Sequence, residues 1–444
     1  MFLPVRFYYT AVVITALLAL GQWWSPSFYV GAALLALFAL LLLVDIVLLW
    51  TRRGITASRQ CSQRFSNGDD NPVSLQVDSR YPFAVKLEII DEIPHIFQRR
   101  DVNFPLRLPA RGSKAMEYTL RPTCRGVYGF GHIRVFTATP IGLIQRRFTC
   151  GEPTDVAVYP SYLMLNRYEL LAISNNLMEM GIKRIRRVGN NTEFEQIKSY
   201  VQGDDYRLIN WKASARTHQL MVNVYTDERS QPIINVIDKG RIMQQAFRGM
   251  TLLDYSINAS LVLSYVAMYK EDRAGLATFS SDFDTFVPAS RRPGHMQTLL
   301  ETLYAQQTEF GETDYAALVA HLNKHVTKRS LVVLYTNFTG LVSLQRQLPY
   351  LQQLNSRHRL LVVFFEDVEL KQYIEGFQTS NLKPQPSNPE YYYHHVMADR
   401  FAYEQRLIVS TLRQYGILSL LTTPDNLSVD VINRYLEMKA RQQL

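Results

Sequence analysis

The chain has 444 residues, with 48 Lys and Arg against 39 Asp and Glu, a formal net charge of +9. That length holds two or three domains, and so small a surplus suits a site near anionic lipid as well as it suits nucleic acid. Cys61, Cys124 and Cys150 are far apart and odd in number, which excludes a disulfide framework and fits reduced thiols in a cytoplasmic domain; zinc-finger spacing and a glycine-rich phosphate loop are both absent.

Residues 7–24 carry no charge, and residues 27–50 carry only Asp45. Each is long enough to cross a hydrocarbon core of ~30 Å as a helix. Ser25-Pro26 between them predicts a tight helical hairpin. Tyr8, Tyr9, Trp23, Trp24 and Trp50 stand at the ends, as interfacial aromatics do. Arg6 precedes the first span, Arg52 and Arg53 follow the second, and the connection has no Lys or Arg. The positive-inside rule then places both ends in the cytoplasm, with residues after 51 inside. A cleaved signal peptide is the rival for the first span, but Trp23-Trp24 makes a poor cleavage region. Asp45 lies near the cytoplasmic end, where snorkelling or a helix–helix contact is its expected role.

Residues 54–160 read as an all-β domain. Short alternating runs occur at Val73–Val77, Phe83–Ile90, Phe104–Leu108, Ala115–Leu120 and His132–Thr137, separated by turn-rich stretches. Such spacing predicts an immunoglobulin-like sandwich serving as a spacer or binding surface. Gly126, Gly129 and Gly131 read as turn or bulge positions, since no helix follows to cradle a phosphate.

Residues 161–231 form a linker, helical at first and then irregular. Its basic run, Lys183, Arg184, Arg186 and Arg187, reads as a solvated loop paired with nearby acids, or else as a contact for lipid head groups or nucleic acid. The stretch Gly203-Asp-Asp-Tyr-Arg-Leu-Ile-Asn-Trp-Lys-Ala-Ser-Ala-Arg216 gathers charge around Ile209 and Trp211. A Gly before two Asp predicts a tight turn opening a short helix. The Asp and Arg side chains read as a charged clasp between domains; the rival reading is a catalytic carboxylate pair.

Residues 181–216 resemble the signature of the bacterial "domain of unknown function 58" family. The matching positions are Gly181, Gly189, Glu193, Phe194, Tyr200, Gly203, Asp204, Asp205, Arg207, Ile209, Trp211, Ser214, Ala215 and Arg216, with Lys198 where the family often has Arg. The resemblance implies a protein of the bacterial inner membrane with a von Willebrand factor type A-like domain. It also implies a genomic neighbour, a MoxR-type AAA+ ATPase.

From residue 232 strands and helices alternate. Strands are expected at Ile233–Ile237, Gly275–Phe279, Thr285–Val287, Leu331–Tyr335, Leu360–Phe365 and Leu418–Leu421. Helices are expected at 244–270, 293–308, 314–326 and 341–356, with a C-terminal helix over 426–444. Apolar strands between helices mean a parallel α/β (Rossmann-like) sheet covered on both faces over 232–425. Ligands bind such sheets at the carboxyl ends of the strands. That rule singles out the Asp238 loop and the Thr336-Asn337 loop.

The arrangement resembles a von Willebrand factor type A domain, whose metal-ion-dependent adhesion site opens with Asp-x-Ser-x-Ser. Here the loop reads Asp238-Lys239-Gly240-Arg241-Ile242, so both hydroxyl ligands are gone. Thr313 is the one rough candidate for the second-loop Thr, and Asn337 stands where the third loop has Asp. Mg2+ wants near-octahedral oxygen ligands and anionic help, so weak or absent Mg2+ binding at Asp238 and Thr313 is expected. Lys239 and Arg241 are then read as fixed positive charge offered to an acidic partner. His295 and His358 are isolated. His394-His395 with Glu390 reads as an exposed loop or helix face, and residues 381–389 read as a loop within the domain.

These readings converge on a multidomain, non-enzymatic, membrane-anchored protein-interaction module with no cofactor. Its expected partners are a MoxR-type AAA+ ATPase, membrane lipid and other membrane or envelope proteins, and nucleic acid is not expected. Asp238, Lys239, Gly240, Arg241 and Asn337 would form the partner face, and the 193–216 signature would dock on the α/β domain. Two alternatives stand beside it. One is a metal-dependent hydrolase or nuclease using Asp204, Asp205 and Glu193; the other is a structural envelope protein.

Overall fold

A computed structural model describes residues 2–50, 54–97, 99, 102–163, 192–202, 204–227, 230–367, 369–370, 389–441 and 443. Arg52, Arg53, Gly181, the basic run at 183–187, Gly189, Gly203 and residues 381–388 lie outside the described residues, as do the side chains of Glu193, Glu390, His394 and His395. The chain divides into two compact units, Met1–Tyr159 and Pro160–Leu444. Each has its own apolar core.

In the first unit, α1 (Val5–Leu20) and α2 (Ser25–Trp50) pack side by side. At 1.5 Å per residue α2 is about 39 Å long, more than a ~30 Å hydrocarbon core, whereas α1 reaches only about 24 Å. One described helix, Pro26–Trp50, is thus long and apolar enough to cross a membrane. The segment expected over 7–24 is shorter because the chain already turns after Leu20. At Gly21 a Cβ would lie 2.8 Å from the Cβ of Phe28, so only glycine lets α2 begin this close.

The β domain has ten strands: β1 (Ile55–Cys61), β2 (Arg64–Ser66), β3 (Asn71–Ser79), β4 (Val85–Asp91), β5 (Asn103–Leu108), β6 (Ser113–Leu120), β7 (Gly126–Phe130), β8 (Ile133–Ala138), β9 (Gln145–Cys150) and β10 (Thr154–Tyr159). They form sheets in the orders β1-β3-β6, β2-β10-β7 and β5-β4-β8-β9. The five alternating runs fall in β3, β4, β5, β6 and β8. Their inward residues, such as Val73, Leu75, Val77, Leu87 and Ile89, fill the core. The other five strands are short or polar, and their alternation is confined to a few residues, such as Ile55 and Ala57 in β1 or Val156 and Val158 in β10; β9 reads QRRFTC at a sheet edge.

Asp45 corrects the sequence expectation. It neither snorkels nor meets a second helix. Its carboxylate is fully buried and accepts the N–H groups of Leu143 and Ile144, both at 3.0 Å, and the Thr139 hydroxyl. All three donors sit in the β8–β9 connection. The Leu49 carbonyl accepts from Tyr81 Oη at 2.9 Å and from Arg146 at 2.6 Å. At the other helix, Phe2 and Gln145 exchange two backbone bonds of 2.9 Å. The helical hairpin is therefore bolted to one edge of the β domain at three points.

The second unit opens with a small module. Strand β11 (Thr192–Ser199) pairs antiparallel with β12 (Met221–Asp227), and α3 (Trp211–Thr217) lies between them in the chain. The irregular linker expected there is partly a sheet, in which Ile197 stands opposite Asn223 and Lys198 opposite Val222.

The rest is a six-stranded sheet made by β13 (Pro232–Asp238), β16 (Arg273–Phe279), β17 (Phe283–Ser290), β18 (Leu331–Tyr335), β19 (Arg359–Phe365) and β20 (Leu418–Thr422), in the order β17-β16-β13-β18-β19-β20. All pairs are parallel except β16–β17. Helices α4 (Leu252–Tyr269), α5 (His295–Tyr304) and α9 (Leu427–Ala440) cover one face. Helices α6 (Tyr315–His325), α7 (Leu341–Arg357) and α8 (Pro389–Gln414) cover the other. This is the doubly wound arrangement that continuous apolar strands demand. Helix α4 starts at 252 rather than 244. The hairpin β14 (Ala246–Phe247) and β15 (Met250–Thr251) turns on Arg248 and Gly249, both with positive φ. Thr251 then caps α4 by accepting from the Asp254 N–H. Helix α9 shares the α4 core and is tied to it by Asp272, which accepts from Tyr435 and, at 2.7 Å, from Lys439.

Replacing Asp45 by Ala leaves two N–H groups and a hydroxyl unpaired in a buried site. The expected cost is about 2–4 kcal/mol. Hydrogen exchange on the full chain in nanodiscs should show faster exchange at the amides of Leu143 and Ile144 and little change in β3.

Candidate functional site

The strand order reverses between β13 and β18, since the chain runs from β13 to β16 on one side and from β18 to β19 on the other. The crevice at their carboxyl ends is the usual ligand position in a doubly wound sheet. Here β13 ends on Asp238, which is 1% exposed. Its Oδ1 accepts the Gly240 N–H at 2.8 Å and the Thr313 hydroxyl at 2.9 Å; its Oδ2 accepts the Thr336 hydroxyl at 2.7 Å. The single Thr336 proton is committed to Asp238, so the Tyr315 hydroxyl, 2.8 Å away, donates to Thr336 Oγ1. Burial pushes the Asp238 carboxyl up from its ordinary value, against the pull of these donors.

Lys239 corrects the second expectation. It is 4% exposed rather than offered to solvent. Its ammonium donates to Asp284 Oδ2 at 2.8 Å and Glu309 Oε1 at 3.3 Å. Thr278 donates to the same Asp284 oxygen at 3.2 Å, and Ser280 donates to Glu309. The Lys239 ammonium is the first cause holding Asp284 below the carboxylate range; for Glu309 the Ser280 hydroxyl comes first and Lys239 adds to it. The segment after α5 is fastened over the strand end by further bonds, Glu309 N–H to the Lys239 carbonyl at 2.9 Å and Arg241 N–H to the Gly311 carbonyl at 3.2 Å. Arg241 keeps an exposed side chain. Asn337 uses its amide oxygen on the Phe338 N–H at 3.0 Å. It also borders a cavity of about 320 Å³ with Phe247, Gly340, Glu366 and Glu404.

The residues do not fit a divalent ion at Asp238. Three of a carboxylate's roughly four acceptor positions already hold protein donors. A serine at 240 is sterically barred, because a Cβ there would collide with Thr313 Oγ1 and lie 3.0 Å from Asp238 Oδ1. The acceptor positions of Asp238 are taken by the N–H of its own loop and by hydroxyl groups of two other segments. Thr313 does meet Asp238, as its position before Asp314 suggested. Thr336, Tyr315, Asp284 and Glu309 carried no signal beyond their nearness to strand ends. Among the described residues no three His, Cys, Asp or Glu side chains gather as metal ligands.

The signature residues lie apart from this crevice in their bonding. Asp204 accepts from Lys198 Nζ at 2.8 Å and from the Val201 N–H at 3.0 Å. Asp205 accepts the Arg207 N–H at 3.0 Å and so opens the turn at Tyr206–Leu208. Among the described residues neither acid pairs with an Arg side chain, and both serve local turn chemistry. Asn210 caps α3 and donates to Asn223 at 2.8 Å; Ser214 donates to the Asn210 carbonyl and accepts the Met221 N–H. Tyr200 joins the module through its N–H to the Leu220 carbonyl at 2.8 Å. Trp211 is 70% exposed and Tyr206 69%. The buried ring of His358 has no hydrogen-bond partner among the described residues, and burial lowers its pKa.

The chain is thus a multidomain protein with an apolar N-terminal helix, a β domain and a doubly wound α/β domain. A family described as "Protein of unknown function DUF58" matches residues 196–372. The uncharacterized protein YeaD of Bacillus subtilis is 25% identical over 277 residues, 60% of this chain and 66% of that protein. The uncharacterized protein Rv1480 of Mycobacterium tuberculosis is 24% identical over 187 residues, 41% of this chain and 58% of that protein. The chain therefore spans less than two thirds of the length of these relatives. Together the matches support the DUF58 family. Among solved structures, the CARDB domain of PF1109 from Pyrococcus furiosus aligns with 24% of this chain and 93% of its own length, at 12% identity and a TM-score of 0.18. The conserved hypothetical protein BatB from Bacteroides thetaiotaomicron aligns with 48% of this chain and 99% of its own, at 11% identity and a TM-score of 0.30.

Three substitutions test the closed strand end. Asp238→Ala should cost about 3 kcal/mol, because three buried donors lose their acceptor. Asp238→Asn should cost less, since an amide can accept two of those donors and give to the third. Lys239→Met should act mainly near neutrality and lose its effect in acid. Asp284 and Glu309 have lowered folded pKa values, so they stabilise the fold above their ordinary values of 3.8 and 4.5. That stability is lost as pH falls through the folded values. Without the ammonium both carboxylates return toward their ordinary values, so the cost is present near neutrality and shrinks as pH falls through the folded values. Both carboxylates are about half exposed, so the loss near neutrality should be only about 1 kcal/mol. Thermal melts between pH 3 and pH 7 read all three variants.

Proposed function

We propose that the chain is a non-enzymatic, membrane-anchored protein-interaction module that works with a MoxR-type AAA+ ATPase in assembling or activating other protein complexes. The carrying observation is the closed strand end. At the one crevice where a doubly wound sheet does its chemistry, Asp238 is sealed among three donors and Lys239 is neutralised by two acids. Neither Asp238 nor Lys239 is then open as a ligand or base. Asp238 on the first strand with Thr313 and Thr336 beside it supports reading the domain as von Willebrand factor type A-like, with its metal position taken over by the chain's own groups.

In this reading α1 and α2 both enter a bacterial inner membrane, and residues after 51 lie in the cytoplasm. Exposed apolar side chains along both helices, from Val5 to Leu48, support this. The partner face moves off Asp238 and Lys239 and onto exposed neighbours: Arg241, Phe310 at 76% exposure and Val342 at 73%. The ATP chemistry belongs to the partner.

Purification of the full chain from membranes, with both helices intact, should bring down a MoxR-type ATPase, and the chain alone should turn over no phosphodiester, ester or peptide with Mg2+ or Mn2+. Metal-dependent turnover by the chain alone, abolished in Asp205→Asn, would make it a hydrolase and end this reading.

A further inference from the structure

The β11–α3–β12 module buries Val222 but leaves several large apolar side chains open to solvent. Asn210 and Ser214 spend their hydrogen bonds inside it. Val201, Tyr206, Trp211 and Leu220 are 61%, 69%, 70% and 47% exposed. A Trp this open is uncommon in a folded domain, where Trp is highly buried on average. The charges are sorted as well. Asp204 is used by Lys198 and a backbone N–H, and Asp205 by a backbone N–H. Arg207 lies over the Tyr206 ring, 5.8 Å from its centroid. Arg207, Lys212 and Arg216 have no ion-pair partner among the described residues. One end of the hairpin therefore offers aromatic surface together with unpaired cations, while its acids are already spent.

We propose that this end of the module is a docking site for an acidic segment of a partner protein, with Trp211 as the central anchor and Arg207 and Arg216 pairing with carboxylates around it. The assignment rests on the protein-interaction reading above and adds to the Arg241, Phe310 and Val342 face a second surface and the chemistry of the segment it binds. Trp, Tyr and Arg are the side chains that dominate binding energy at protein interfaces. Charge complementarity selects an acidic partner. A nucleic acid fits less well, because three cations do not make a lane for a phosphate backbone and Val201 and Leu220 would gain nothing from one.

The test uses the full chain in phosphatidylcholine nanodiscs and the purified MoxR-type ATPase from the same organism, with Kd read by biolayer interferometry. Trp211→Ala should raise Kd about tenfold or more. The pair Arg207→Glu and Arg216→Glu should also raise it and flatten its salt dependence. Lys324→Ala, on α6, should leave it within about twofold. All variants should melt with wild type, since the altered side chains are exposed. If the wild type binds and the Trp211 and Arg variants bind equally well, the surface is wrong and the function stands. If the wild type does not bind, the function and the surface fall together. Competition by oligo(dT) or by phosphatidylglycerol vesicles that disappears in Trp211→Ala would reassign the surface to nucleic acid or lipid and overturn the proposal.

Discussion

The second unit depends on one carboxylate withdrawn from water. Asp238 ends the strand from which the sheet grows in both directions, and it is all but fully buried. Ionised and alone, it would cost several kcal/mol. Hydrogen bonds to a charged group return about 1.5–3 kcal/mol each, and three of them come from three different segments. Gly240 belongs to the strand's own loop, Thr313 to the loop before α6, and Thr336 to the end of β18. The carboxylate thus registers three chain segments at the place where the sheet reverses direction. Tyr315 extends the set from α6. What might have been a reactive edge becomes a rigid one.

The first unit solves a related problem in the same way. Asp45, near the end of an otherwise apolar helix, is given two N–H groups and a hydroxyl by the connection between β8 and β9. A charged group in such a helix usually suggests function. Here its bonds fix the direction in which the β domain leaves the helix. Leu49, Tyr81 and Arg146 add a second set of bonds within four residues. The β domain is consequently held by α2 as one piece with it rather than tethered on a flexible link.

The parallel sheet was legible because its strands are continuous apolar runs, as at Leu331–Tyr335 and Leu360–Phe365, and because helices with caps such as Asp314 lie between them. The strands with alternating sequence in the β domain were legible for the same kind of reason. Edge strands such as β9 were not, since one-sided burial needs no pattern in so short a piece. Asp238 was found from its place at a strand end, but its partners were only half found. The acids that neutralise Lys239 stand 45 and 70 residues further on, and no local rule joins them to it. Trp211 was singled out by its charged neighbours, yet the same neighbours suggested a clasp. Whether a charge is spent on a backbone N–H or left free for a partner is decided by turn geometry, and residue types alone do not report it.

Taken together, the two buried carboxylates are each satisfied by the protein's own donors and hold separate chain segments in register. Such a scaffold is suited to holding and presenting surfaces. The most direct measurement is calorimetric titration of the full chain with Mg2+. The closed strand end predicts no saturable heat and no change in melting temperature. Saturable binding that Asp238→Asn abolishes would contradict it, and would return an open metal site to the centre of this protein.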